Sequence, residues 1–124
     1  MNKNYIFSKL NKTWLLDIDG TLVKHNGHLN GGDVLINGVK DFFKKINAND
    51  TVILLTSRNK KYKEELENFL QKNGVRFDNI IYDLPFGERI LVNDEKNSGL
   101  KTAYAINKKR DEKLIINYVI KEDL

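Results

Sequence analysis

Trp14-Leu15-Leu16-Asp17-Ile18-Asp19-Gly20-Thr21-Leu22 decides how this chain is read. A short apolar run ends in carboxylates, and a glycine follows. Side chains two positions apart on a strand point the same way, so Asp17 and Asp19 face one site if the strand continues that far. Two adjacent carboxylates repel each other and are costly without a cation or a shared proton. A hard divalent ion with oxygen ligands relieves that cost, and Mg²⁺ is the usual ion beside phosphate. Gly20 lets the chain turn sharply after the strand.

Outward from this stretch the chain alternates. Apolar runs rich in branched residues recur at Thr51–Leu55, ending in Thr56-Ser57-Arg58, and at Asn79–Tyr82, closed by Asp83. Others are Ile90–Val92, closed by Asn93-Asp94, and Leu114–Ile120. Runs of this kind suit strands buried on both faces. Between them, Val39, Phe42, Phe43 and Ile46 recur at helical spacing, as do Tyr62, Leu66, Phe69 and Leu70, which stop at Asn73-Gly74. Leu100, Ala103, Tyr104 and Ile106 predict a third helix. Residues 23–36, with Gly27, Gly31, Gly32, His25 and His28, read as a loop or small hairpin. The two histidines read as loop residues that at most edge a substrate mouth. The order predicts an α/β fold, a mainly parallel sheet flanked by helices. One domain over residues 1–124 fits the length, with residues 1–12 a flexible tail or an edge strand around Tyr5-Ile6-Phe7.

Asp17-Ile18-Asp19-Gly20-Thr21-Leu22 after an apolar strand resembles the first signature of the haloacid dehalogenase superfamily. The resemblance runs from about Trp14 to Ala105. It implies a Rossmann-like core and Mg²⁺-dependent phosphoryl transfer through an aspartyl phosphate. Asp17 matches the nucleophile. Asp19 matches the general acid/base, and its backbone carbonyl would touch the metal. Thr56 resembles the second signature, a hydroxyl that donates to a phosphoryl oxygen. Gly20, Thr21, Ser57 and Arg58 are the expected substrate-binding positions, Arg58 gripping a phosphate or carboxylate. Asp94 resembles the fourth signature, completing a metal set with Asp17 and Asp19. The chain departs from the pattern at the third signature. Where relatives carry a Lys, it has Asp83-Leu84-Pro85. Arg89 is the leading substitute for that charge, with Lys60, Lys61, Lys96 and Lys101 behind it. Neither usual insertion point leaves room for a cap domain. The resemblance therefore implies a capless member, similar to small polysaccharide- and capsule-biosynthesis phosphatases, with an open site or a lid from a neighbouring subunit.

Composition narrows the classes. The 124 residues are 40% hydrophobic, carry a net charge of +4 and include no cysteine. Disulfides, thiolate metal sites and cysteine nucleophiles are excluded. No apolar run approaches the ~18 residues of a membrane span, and the polar start lacks a secretory apolar segment, so the expectation is a cytoplasmic protein with no membrane partner. The basic balance favours anionic partners. A small phosphorylated substrate, such as a phosphosugar, is the leading expectation. A nucleotide or nucleic-acid end phosphatase is the enzymatic alternative, but no platform of aromatic and basic residues supports nucleic acid. A non-catalytic phosphate- and metal-binding regulatory module is the alternative from another class, favoured by Leu84. A receiver domain fits less well, because here the paired acids themselves open the core.

Overall fold

The structure, a computed structural model, describes residues 4–123. In chain order it has β1 (Asn4–Phe7), β2 (Thr13–Asp17), α1 (Val39–Lys45), β3 (Thr51–Leu55), α2 (Lys63–Lys72), β4 (Asn79–Ile81) and β5 (Asn117–Ile120), with single 3-10 turns at Gly27–Leu29 and Lys60–Tyr62. It is a mixed α/β protein in which all three strand pairs are parallel, with one isolated antiparallel bridge between Val23 and Leu35. There are two sheets rather than one: β2-β3-β4, and a separate β1-β5 pair. Of residues 1–12, expected as a flexible tail or an edge strand around Tyr5-Ile6-Phe7, Asn4–Phe7 form the strand β1, and residues 1–3 lie outside the described residues.

Strand alternation sets the core. In β2, Trp14 and Leu16 are buried while Leu15 is 46% exposed. Their neighbours in register are Val52 and Leu54, both fully buried. This one face meets Val39, Phe42 and Phe43 of α1 and Leu66 and Leu70 of α2 in a single apolar cluster, which Phe7 and Leu114 also join. The apolar runs read as buried on both faces are thus buried on one. The reason is that the third helix, expected over Leu100–Ile106, does not form, so nothing regular covers the other face. Asp50 anchors the sheet's entry, its carboxylate accepting from the Trp14 indole N–H at 2.9 Å and from the Lys12 amide at 2.9 Å.

Two glycines hold the chain where a side chain would not fit. Gly38 precedes α1 at φ 91°, and a Cβ there would lie 2.2 Å from the Leu114 carbonyl oxygen. The amide of Leu114 donates to the Asn37 carbonyl at 2.9 Å, so this contact pins the late chain against the start of α1. Gly20, at φ 86°, makes the turn after β2. The amides of Leu22 and Val23 both return to the Ile18 carbonyl, at 2.9 and 3.1 Å.

The expected strand Ile90–Val92 is also absent: residues 82–116 contain no helix or strand. Ile90 is 85% exposed and Val92 89%. A strand needs a partner edge, and the free edge of β2 is separated from this segment by a cleft of about 1050 Å³, with Leu15 and Leu16 on one wall and Ile90 and Leu91 on the other. The final run, expected over Leu114–Ile120, is a strand only over Asn117–Ile120, where β1 supplies the partner. The loop of residues 23–36 closes like a hairpin, with Lys24 donating to Val34 at 2.9 Å and Ile36 to Leu22 at 2.8 Å.

Candidate functional site

The cleft opens at the carboxyl end of β2, the edge of a parallel sheet where ligands gather. Asp17 is the last residue of β2, and the strand does not continue to Asp19. The two carboxylates both line the cleft, yet each has its own partners. One oxygen of Asp17 meets an Arg89 guanidinium nitrogen at 2.7 Å, and the other accepts from the Thr21 hydroxyl at 2.9 Å. Asp19 accepts from the Thr56 hydroxyl at 2.8 Å through Oδ2 and from Arg58 Nε at 2.8 Å through Oδ1. The repulsion between neighbouring carboxylates is therefore relieved by two guanidinium groups, one on each.

These two settings differ in access. The Asp17 and Arg89 side chains are 35% and 37% exposed, so their pair faces solvent and a ligand could displace it. The Asp19 side chain is 18% exposed, and Arg58 beneath it only 3%. Arg58 is further gripped by Asp33, its two terminal nitrogens donating to the two carboxylate oxygens at 3.0 and 2.7 Å. Burial pulls the Arg58 pKa down, but hydrogen bonds and charge from Asp33 and Asp19 outweigh it and raise it above the ordinary arginine value.

Of the expected phosphate-binding groups, Ser57 lines the cleft, and Thr21 reaches Asp17. The Thr56 side chain is buried, its single hydroxyl proton engaged by Asp19 while its oxygen accepts from the Arg58 amide at 3.0 Å. Gly20 is the turn that brings residues 110–111 to the site: its carbonyl accepts from the Asp111 amide at 2.9 Å. Arg89, the leading substitute for the missing Lys charge, reaches Asp17 from a segment that forms no strand. Asp94 is exposed and lies outside the residues lining the cleft. Its backbone carbonyl accepts from the Thr102 hydroxyl. Among the described residues no group of three acidic or histidine side chains is placed to hold one metal ion. Asp94 is thus not among the residues that line the cleft with Asp17 and Asp19.

Three residues were not singled out by sequence, or were given little weight. Asp33 is the only acid between Asp19 and Asp41, and its place after Gly31-Gly32, with no Lys, Arg, Asp or Glu from residue 25 to 32 or 34 to 39, was the available signal. Lys108 lines the cleft and donates to the carbonyls of Lys109 at 2.8 Å and Glu112 at 2.5 Å. Burial lowers its pKa, and the nearby charges of Asp111, Glu112 and Asp17 oppose that shift. His28, read as a loop residue, stacks edge-on against Tyr62 with ring centroids 4.8 Å apart, and its Nδ1 is buried without a partner. With Arg110, the cleft carries Arg89 and Lys108 beside Asp17 and Glu88, while Arg58 is neutralised beneath it by Asp19 and Asp33.

Compared with protein-family models, curated proteins and solved structures, the chain matches none. No helix among the described residues is long and apolar enough to cross a membrane.

Proposed function

We propose that the chain is a phosphomonoester hydrolase of the haloacid dehalogenase type, working through an aspartyl phosphate on a small phosphorylated metabolite such as a phosphosugar. The observation that carries the reading is Asp17, a strand-end carboxylate facing an open cleft and charge-paired with Arg89 at 2.7 Å. Phosphoryl transfer is mostly positioning and charge stabilisation. A substrate phosphate entering the cleft takes over the Arg89 guanidinium, which is always charged and can grip two phosphoryl oxygens. That exchange frees the Asp17 oxygen to attack phosphorus while the bond to the leaving oxygen breaks. Asp19 must enter this step protonated; it gives that proton to the leaving oxygen and recovers one from the water that later cleaves the aspartyl phosphate. Lys108 and Arg110 supply further positive charge along the cleft.

Mg²⁺ belongs to the proposal because the signature sequence implies it. The described residues bring no third side-chain ligand to Asp17 and Asp19, so the metal enters here as a requirement to be measured rather than as a step. The cleft is open, and a second copy of the chain over its mouth would exclude water from a small substrate. The exposed position of Asp94 favours one other reading, a phosphate-binding module without turnover.

The test is hydrolysis of a panel of phosphate esters with and without Mg²⁺, using Asp17→Asn as control. The expected result is turnover and a trapped phosphoenzyme in the wild type, with neither in Asp17→Asn. Asp19→Asn should slow turnover by roughly 10²–10⁴, the range for general acid/base catalysis. Equal activity in wild type and Asp17→Asn would rule out the nucleophile. A wild type that binds phosphate but turns over no ester would favour the binding module.

A further inference from the structure

We infer that Asp33 and Arg58 form a positioning pair for Asp19, and that Arg58 is not a substrate ligand; the inference rests on the reading of Asp19 as the acid/base. Asp19 is held at both oxygens, by Thr56 on one and Arg58 Nε on the other, so its carboxylate cannot rotate without breaking a hydrogen bond. Arg58 is fixed in turn. Its two terminal nitrogens meet the two oxygens of Asp33 in a fork-to-fork arrangement, which sets the plane of the guanidinium as well as its position. With that plane set, Nε points at Asp19.

Burial makes Asp33 necessary to this geometry. The Arg58 side chain is 3% exposed and that of Asp33 2%, so neither has water to replace a lost partner. Without Asp33 one terminal nitrogen, Nη1, would be left buried and unpaired, while Nη2 would keep only its 2.8 Å contact with Asp19, and the guanidinium would move to find another acceptor. The same burial leaves Arg58 almost no surface for a substrate in the cleft. The glycine-rich loop thereby acquires a role. The bonds from Gly32 to Gly27 and from Lys24 to Val34, both 2.9 Å, bracket Asp33 and deliver one carboxylate beneath the site.

The test pairs Asp33→Asn with Arg58→Lys, which keeps the charge but loses the fork. A positioning role predicts that kcat falls on the order of 10²-fold in both, the cost of displacing a reacting group by about 1 Å, while KM stays at the wild-type value. A substrate-binding Arg58 would instead raise KM with kcat retained, and that result overturns the inference. Because Asp33→Asn could fail to fold, the Arg58 Nε–H resonance provides a readout independent of turnover. It should be exchange-protected in the wild type and lose that protection in Asp19→Ala, which removes the acceptor and opens space for water. An unprotected Nε–H in the wild type overturns the pair. A wild type without turnover but with the protected resonance overturns the hydrolase reading, and the positioning role with it, while leaving the ion pair standing. An active wild type whose variants change KM alone overturns only the positioning role.

Discussion

Residues 4–81 and residues 82–116 are built from similar ingredients and reach different ends. Both contain branched apolar runs, helical spacing and strand-end carboxylates. In the first region these become β1 to β4, α1 and α2, and the fully buried Val52, Leu54, Leu66 and Leu70 lie there. In the second, Ile90, Leu91 and Val92 remain 56–89% exposed and no element forms. The difference teaches that an apolar run specifies a strand only when an edge and a covering layer are both in place. β3 has β2 on one side, β4 on the other and two helices over one face. Ile90–Val92 has the cleft between itself and the nearest free edge.

The largest effect that would break this contrast is in the core. Leu54→Ala removes a fully buried side chain from the central strand and should cost about 2–5 kcal/mol in urea unfolding, the range for large-to-small core changes. Ile90→Ala should stay within about 0.5 kcal/mol, as for an exposed site. If Ile90→Ala proved comparable to Leu54→Ala, residues 90–92 would be packed in solution, and the contrast would be wrong.

What sequence could read follows the same division. β3 was legible to the residue, because four apolar positions after Thr51 are bounded by polar ones and their partners flank them. The end of α2 was legible through Asn73-Gly74, whose glycine takes φ 76°. The helix expected at Leu100–Ile106 was not, since helical spacing describes a face without saying whether a surface exists to receive it. At the site, Asp17 and Asp19 were found from their spacing, and Arg89 from charge need alone. Their true partners were not legible. The bond between Arg58 and Asp33 spans 25 residues and crosses from a loop to a strand end, which no local pattern encodes.

A middle-sized effect compares polar contacts in the two regions. Asp50 is buried and receives the Trp14 indole and the Lys12 amide. Asp50→Ala leaves a buried indole N–H without a partner and should cost roughly 1–3 kcal/mol, the penalty for an unsatisfied buried group. Asn93 makes an exposed contact to the Thr102 carbonyl at 3.2 Å, where water can substitute. Asn93→Ala should therefore fall within about 0.5 kcal/mol. Equal losses in the two variants would mean that water does not reach the second region as its exposure implies.

The smallest effect lies within the first region, at His28, and it is read as a pH dependence. Burial lowers the His28 pKa below its ordinary value, and the Arg58 charge lowers it further, against the opposing charges of Asp19, Asp33 and Glu65. A histidine with a depressed folded-state pKa binds its proton less readily when folded than when unfolded. Stability then rises with pH wherever the unfolded chain carries the extra proton. The contribution is complete above about pH 6.5, the unfolded value, and is lost as pH falls below it. The effect is small because the ring is only half-buried and solvent screens part of the charge. Urea midpoints at about pH 7.5 and pH 5.5 should therefore converge in His28→Gln, which removes the titration, relative to their separation in the wild type. The Asp19, Asp33 and Glu65 carboxylates remain in that variant, so any drift they cause is common to both proteins. An unchanged separation would mean that His28 is not held neutral beside Arg58, and that the loop does not carry the burial its unpartnered Nδ1 implies.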